Sequence, residues 1–159
     1  MSRDARFDDG AEGPLNLRAE SAADLGVLAA LVQDAVLPAT EIRYAPKARQ
    51  LSMLLNRFRW EDKAAAEAER RPYERVQSLL VLSDVIQVAS QGFDRKDPDL
   101  VLSLLDIGFE PGAEGAGRVV ITLAGDGAIA AGVECLSVDL RDVTRPYRAV
   151  SGQAPTHPE

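Results

Sequence analysis

The sequence predicts an α+β domain in which one N-terminal helix packs on a curled, mostly antiparallel sheet of about six strands. Three observations carry that expectation. One amphipathic stretch lies near the start, the segments after it alternate apolar and polar residues at strand spacing, and short turns join them. A chain of 159 residues with 46% apolar and 27% charged side chains suits a single globular unit.

The first 14 residues are rich in Asp, Gly and Ala, and residues 149–159 in Pro, Ser and Ala. Neither end holds enough apolar surface to repay its ordering entropy, so both are expected to be flexible tails around one domain of residues 15–148. Within it, Ser21 and Asp24 resemble a capping box with Asp in place of Glu. Leu25, Leu28, Leu31, Val32 and Val36 then recur at helical spacing, and Pro38 ends the run.

Strands follow. TEIRYA and QLSMLL flank APKA, where Pro46 suits the second position of a type I turn. Pairing Ala45 with Gln50 sets Tyr44 against Leu51, Ile42 against Met53 and Thr40 against Leu55, which gives one apolar face. EDKAAAEAERRP favours helix by composition but lacks an apolar stripe, so it is expected as a loop or short surface helix. Arg75 to Phe93 and Leu100 to Phe109 alternate across GFDRKDPD and predict a second hairpin, with Ser83-Asp84 as a break in the long strand. Asp126-Gly127 between two alternating runs predicts a third.

Two strands change phase. Leu51, Met53 and Leu55 share one parity and Phe58 and Trp60 the other; Ile129 to Cys135 and Leu136 to Leu140 do the same. β-Bulges at Leu54-Leu55 and Cys135-Leu136 would re-aim the chain and curl the sheet.

Composition narrows the chemistry. A single cysteine, Cys135, excludes an internal disulfide and a cysteine-built metal site, and the lone His157 lies in the C-terminal tail. No apolar run reaches the eighteen or so residues of a membrane span, and the start is acidic without a signal-like apolar segment, so the expected location is cytoplasmic with no membrane partner. The net charge of −7 opposes nucleic acid except where cations gather. They gather in residues 41–75, with 9 basic against 6 acidic side chains.

That segment holds the candidate surface Arg43, Arg57, Arg59 and Trp60, whose residue types suit an anionic ligand, a partner or single-stranded nucleic acid. The competing expectation is that Phe58 and Trp60 turn into the core while Arg57 and Arg59 point to water. Other motifs carry less. PGAEGAGR lacks the following helix and lysine of a phosphate loop. Asp94, Asp97 and Asp99 lack the calcium-loop order and read as a turn. Cys135 follows the anion Glu134 and shares parity with Val133, so it is expected as a small buried hydrophobe. Ser83-Asp84, Asp139 and Asp142 have no distinguishing spacing, and no nucleophile-elbow pattern accompanies His157. No catalytic, cofactor-binding or metal-ligating residue is assigned.

The segments LVQDAVLPATEIRYAPKARQLSMLLNRFRWE, FEPG and AGDGAIAAGVECLSVDLRDV resemble a bacterial family catalogued only as a domain of unknown function, over about residues 15–145. The resemblance implies a small standalone cytoplasmic protein and brings no activity, cofactor or site residues. The functional expectation is a non-catalytic binding or adaptor module with a protein or small-molecule partner. A small enzyme assembled from scattered Asp, Glu, Ser and Arg is the alternative, and a nucleic-acid binder using residues 41–75 is the weaker one.

Overall fold

Leu15, Leu17 and Ala19 alternate with more exposed neighbours, which makes Asn16–Ala19 a half-buried strand, β2. The computed structural model describes residues 13–149, together with residues 3–4 and 154–155. Arg3–Asp4 form β1, parallel to β2. Most of the expected tails, residues 1–14 and 149–159, including His157, lies outside the described residues.

Ser21 is extended at φ −134° and its hydroxyl accepts from Asp24 N at 3.2 Å, which starts helix α1, Ala22–Val32. Leu25, Leu28, Leu31 and Val32 are its buried face, as their spacing predicts. The helix stops at Val32 rather than at Pro38, so Val36, expected on the helical stripe, lies in a strand instead. Asp34 adopts φ 64°, Asp34 N donates to Leu104 O and Leu104 N to Ala35 O, and Val36–Pro38 becomes strand β3. Two corrections follow for the expected helix. It is preceded by a strand, and it is not the only helix, because Lys63–Ala68 forms α2 with Ala66 fully buried.

β4 (Ile42–Ala45) and β5 (Gln50–Phe58) pair in the expected register, from Ala45 against Gln50 to Ile42 against Met53. Thr40 does not join them, since Ala39–Glu41 is a 3-10 turn. On its other edge β5 runs against β6 (Glu74–Leu82) from Leu51–Leu82 to Phe58–Arg75 with no shift of register. The bulge expected at Leu54-Leu55 is therefore absent.

Asp84, at φ 58°, breaks the chain between β6 and β7 (Val85–Gln91), as expected of Ser83-Asp84. The consequence for pairing differs from expectation. β7 crosses to β10 (Ala128–Val133), while β8 (Val101–Pro111) pairs with β9 (Gly117–Leu123) and β3, so the hairpin predicted across GFDRKDPD does not form. Gly92 after β7 has φ 81°, and a Cβ there would sit 2.6 Å from Asp126 O. Only glycine lets the two turns meet this closely.

The β9–β10 hairpin forms where Asp126-Gly127 predicts it, with its left-handed pair one residue earlier, at Gly125 and Asp126. At Cys135-Leu136 the chain does not bulge. It leaves the β7–β10–β9 group and enters β11 (Val138–Asp142) between β2 and β6, a change of neighbours that accounts for the change of parity. The register shifts that do occur are at Leu105 in β8 and Ile86 in β7.

The strand order is β1-β2-β11-β6-β5-β3-β8-β9-β10-β7, with β4 also on β5 and β12 (Tyr147–Arg148) also on β6. The sheet is mostly antiparallel, open rather than closed, and richer in strands than the six expected. One apolar core runs from α1 and β2 through β5, β6 and β11 to β8–β10. Among the described residues no helix is long and apolar enough to cross a membrane.

Candidate functional site: an ionic lattice beside an open cleft

The inward parity of β5, Leu51, Met53 and Leu55, continues to Arg57, which is fully buried. A charge can remain there because adjoining elements supply partners. Ser78 on β6 lies opposite Leu55 on one side and Asp142 of β11 on the other, and Glu61 arrives from the 3-10 turn Trp60–Asp62. Arg57 Nη1 and Nη2 donate to the two oxygens of Glu61, each at 2.8 Å. Nη2 also donates to Asp142 Oδ1 at 3.0 Å, and Nε to Ser78 Oγ at 3.0 Å, whose own hydroxyl donates to Asp142 Oδ1 at 2.6 Å. Asp142 Oδ2 accepts from Leu15 N at 2.8 Å, tying β11 to the start of β2. The Arg57, Glu61 and Asp142 side chains are 0%, 1% and 3% exposed. Burial alone would lower the pKa of Arg57; the bonds to Glu61 and Asp142 outweigh it and raise the value.

Phe58 takes the opposite face of β5 and is also fully buried, edge-on to Trp60 at 4.7 Å and Tyr73 at 5.5 Å between ring centroids. Arg59 follows just beyond the strand, 8% exposed. Its Nη1 donates to Glu74 Oε1 and lies 3.7 Å from Asp62 Oδ2, while its buried Nε has no hydrogen-bond partner among the described residues. Arg71 grips Asp62 with two bonds of 2.6 and 2.7 Å. These bonds hold the Asp62 carboxyl below its ordinary range, aided by the charges of Arg59 and Arg71 and opposed by burial. Arg71 is raised in return.

Arg59, Asp62, Arg71 and Glu74 line an open cleft of about 570 Å³ together with Thr144 and Arg145 from the β11–β12 connection. Asp142 lines it too, so the lattice forms part of its lining.

The four residues singled out in the sequence are thus separated. Arg57 and Arg59 do not point to water: the first is enclosed by the lattice and the second is buried at the cleft. The inferred flip of buried parity fails for the same reason, because Arg57 keeps the inward parity and Phe58 is buried on the other side. Trp60 is half-buried, with Nε1 donating to Gln33 O at 3.0 Å. Arg43 lies apart on β4, its side chain 73% exposed and 3.7 Å from Glu41. The sequence did not mark Glu61, Asp62, Arg71, Glu74 or Ser78 as site residues. Glu61 was the most visible of them, four residues after Arg57 in the cation-rich segment.

A family model described as "Protein of unknown function (DUF2948)" matches residues 15–157, which includes every lattice and cleft side chain named above. The chain belongs to that family. No curated protein and no solved structure matches the chain. The match bears out the resemblance seen in the sequence.

In this DUF2948 protein the acidic motif is built into a turn. Asp94 Oδ1 accepts from Lys96 N and Asp97 Oδ1 from Asp99 N, both at 2.9 Å, so these carboxylates build their own turn. PGAEGAG connects β8 to β9 with Glu114 and Gly115 at positive φ, and a strand follows it. Among the described residues no group of His, Cys, Asp and Glu is arranged to hold a metal ion. Cys135 corrects its expectation: it is exposed, because the chain has already left β10 there. Its Sγ donates to Asp84 Oδ2 at 3.1 Å, a bond that raises the thiol pKa, with Glu134 adding to the effect.

Proposed function

We propose that this DUF2948 protein is a non-catalytic binding module of the cytoplasm, formed by the single domain of residues 15–148, whose recognition surface is the cleft at Arg59. The observation that carries the reading is the state of Arg59. Its guanidinium is held by Glu74 through Nη1 at the lining of an open cleft, while Nη2 makes no hydrogen bond among the described residues. A rigid, incompletely satisfied donor in a cleft of 300–1,000 Å³, roughly the usual range for ligand sites, is what a binding site requires. The carboxylates nearby support binding over catalysis. Asp62 is held ionised by Arg71, whereas a general acid at neutral pH needs a raised pKa. Asp142 spends both oxygens on Leu15, Ser78 and Arg57. The burial of Arg57 and the separation of Arg43 on β4 remove two of the four residues a nucleic-acid surface would have used.

The test is a thermal-shift screen of the full chain against metabolites and peptides, with each hit incubated with the protein and followed by mass spectrometry. The expected result is saturable stabilisation with the ligand recovered unchanged. Conversion of a hit, abolished by Asp62→Asn, would replace the module by an enzyme.

A further inference from the structure

Of the side-chain carboxylate oxygens that line the cleft all but Glu74 Oε2 accept a hydrogen bond, and several of its donors make none among the described residues. Both oxygens of Asp62 receive Arg71, both of Asp142 receive lattice donors, and Glu74 Oε1 receives Arg59. On the donor side, Arg59 Nη2 makes no hydrogen bond among the described residues, and neither does Nε, which is buried. Glu61 Oε2 is 3.7 Å from Arg59 Nε, too far for a hydrogen bond, and already accepts from Arg57 at 2.8 Å. Nε is closed off beside Glu61, so Nη2 is the Arg59 donor left for a ligand, and a charged guanidinium N–H bonds strongly to an oxygen of a carboxylate or phosphate. The Arg145 side chain is exposed and makes no hydrogen bond or ion pair among the described residues. Thr144 Oγ1 accepts from Gln77 N at 3.1 Å, which leaves its hydroxyl proton for another acceptor.

We propose that the cleft binds a compact oxyanion, a carboxylate or a phosphate group, held by Arg59 Nη2, by Arg145 and by the Thr144 hydroxyl. The proposal rests on the binding-module reading and names the chemistry of its ligand. Charge alone does not select it. Arg57, Arg59, Arg71 and Arg145 are balanced by Glu61, Asp62, Glu74 and Asp142, so no strong local field draws anions in. Selection lies in unpaired donors, which favour an ion that accepts several hydrogen bonds over a spherical one of equal charge.

The experiment is isothermal titration and thermal shift of the full chain with inorganic phosphate, citrate and acetate, against chloride at matched ionic strength. Saturable binding by phosphate or by the carboxylates, with none by chloride, is expected, and which series binds identifies the group. Arg145→Ala is expected to weaken that binding about tenfold, the loss of one charge-assisted contact, without moving the unfolding temperature of the free protein, because Arg145 is exposed. Thr144→Val should weaken it less. No stabilisation beyond chloride, or unchanged binding by Arg145→Ala, overturns the proposal. If oxyanions fail while a neutral or cationic ligand binds in the cleft, this inference falls and the binding module stands; if no ligand binds there, both fall.

Discussion

Strand β5 contributes to two kinds of interior. Along its first half Leu51, Met53 and Leu55 join the apolar core that α1 covers with Leu25, Leu28 and Leu31; two residues further, on the same face, Arg57 enters an ionic lattice. The apolar region is stabilised by many weak, interchangeable contacts, so loss of one side chain is felt in proportion to its volume. The lattice has no such tolerance. Each desolvated charge costs several kcal/mol unless every partner is present, so its stability belongs to the set.

The largest expected effect tests that difference directly. Arg57→Met keeps the volume but strands Glu61 and Asp142, and should destabilise by about 3–5 kcal/mol in urea unfolding. Leu28→Ala, under α1, should cost about 2–5 kcal/mol from cavity and transfer terms. The sizes overlap, but the rescue differs. Adding Glu61→Leu and Asp142→Asn to Arg57→Met should restore most of the loss, since the stranded charges are gone while residue 142 keeps an acceptor for Leu15 N. A triple variant as unstable as Arg57→Met alone would show that the lattice is not the source of the cost.

Ser78→Ala comes next, at about 1–3 kcal/mol, because it deletes the hydroxyl that accepts from Arg57 and donates to Asp142. A double-mutant cycle with Arg57→Met should show strong coupling, whereas Ser78→Ala with Leu28→Ala should be additive.

The same contrast explains what could be seen in advance. The face of α1 and the β4–β5 register are set within a few residues of sequence, by a helical stripe and a four-residue turn, and both are found where expected. Pairing of β7 with β10 and of β8 with β9 and β3 is decided across distances that no local turn signal reports, so adjacency in sequence suggested the wrong hairpin. The site was hidden for a related reason. Arg57 looks like a solvent residue until Ser78 and Asp142, 21 and 85 residues away along the chain, are known to face it. Phe58 and Trp60 then suggested a change of parity, when one is buried on the far face of β5 and the other is half-buried beyond the strand.

Acid should separate the two regions further. The carboxyl of Asp62 is held below its ordinary value of 3.8, so its ion pair with Arg71 stabilises the fold above that pH and the contribution is lost as pH falls through the lowered folded value. Asp62→Asn should therefore lower stability at neutral pH and flatten the loss on acidification below about pH 4. Leu28→Ala should shift the whole curve down without changing its slope. An Asp62→Asn protein with the parent's acid profile would remove Asp62 from the account.

The smallest effect is expected at Trp60, where the two regions meet. The indole Nε1 donates to Gln33 O, the residue that ends α1, while the ring packs edge-on to Phe58. Trp60→Phe keeps an aromatic edge but loses that bond, for about 0.5–1.5 kcal/mol by circular dichroism melts. Because Gln33 closes the helix above the apolar core and Trp60 opens the turn that delivers Glu61, this bond ties the tolerant region to the intolerant one. If it does so, Trp60→Phe should deepen the loss caused by Arg57→Met beyond the sum of the two single effects. Simple additivity would mean that the ionic lattice is held by its own strands alone.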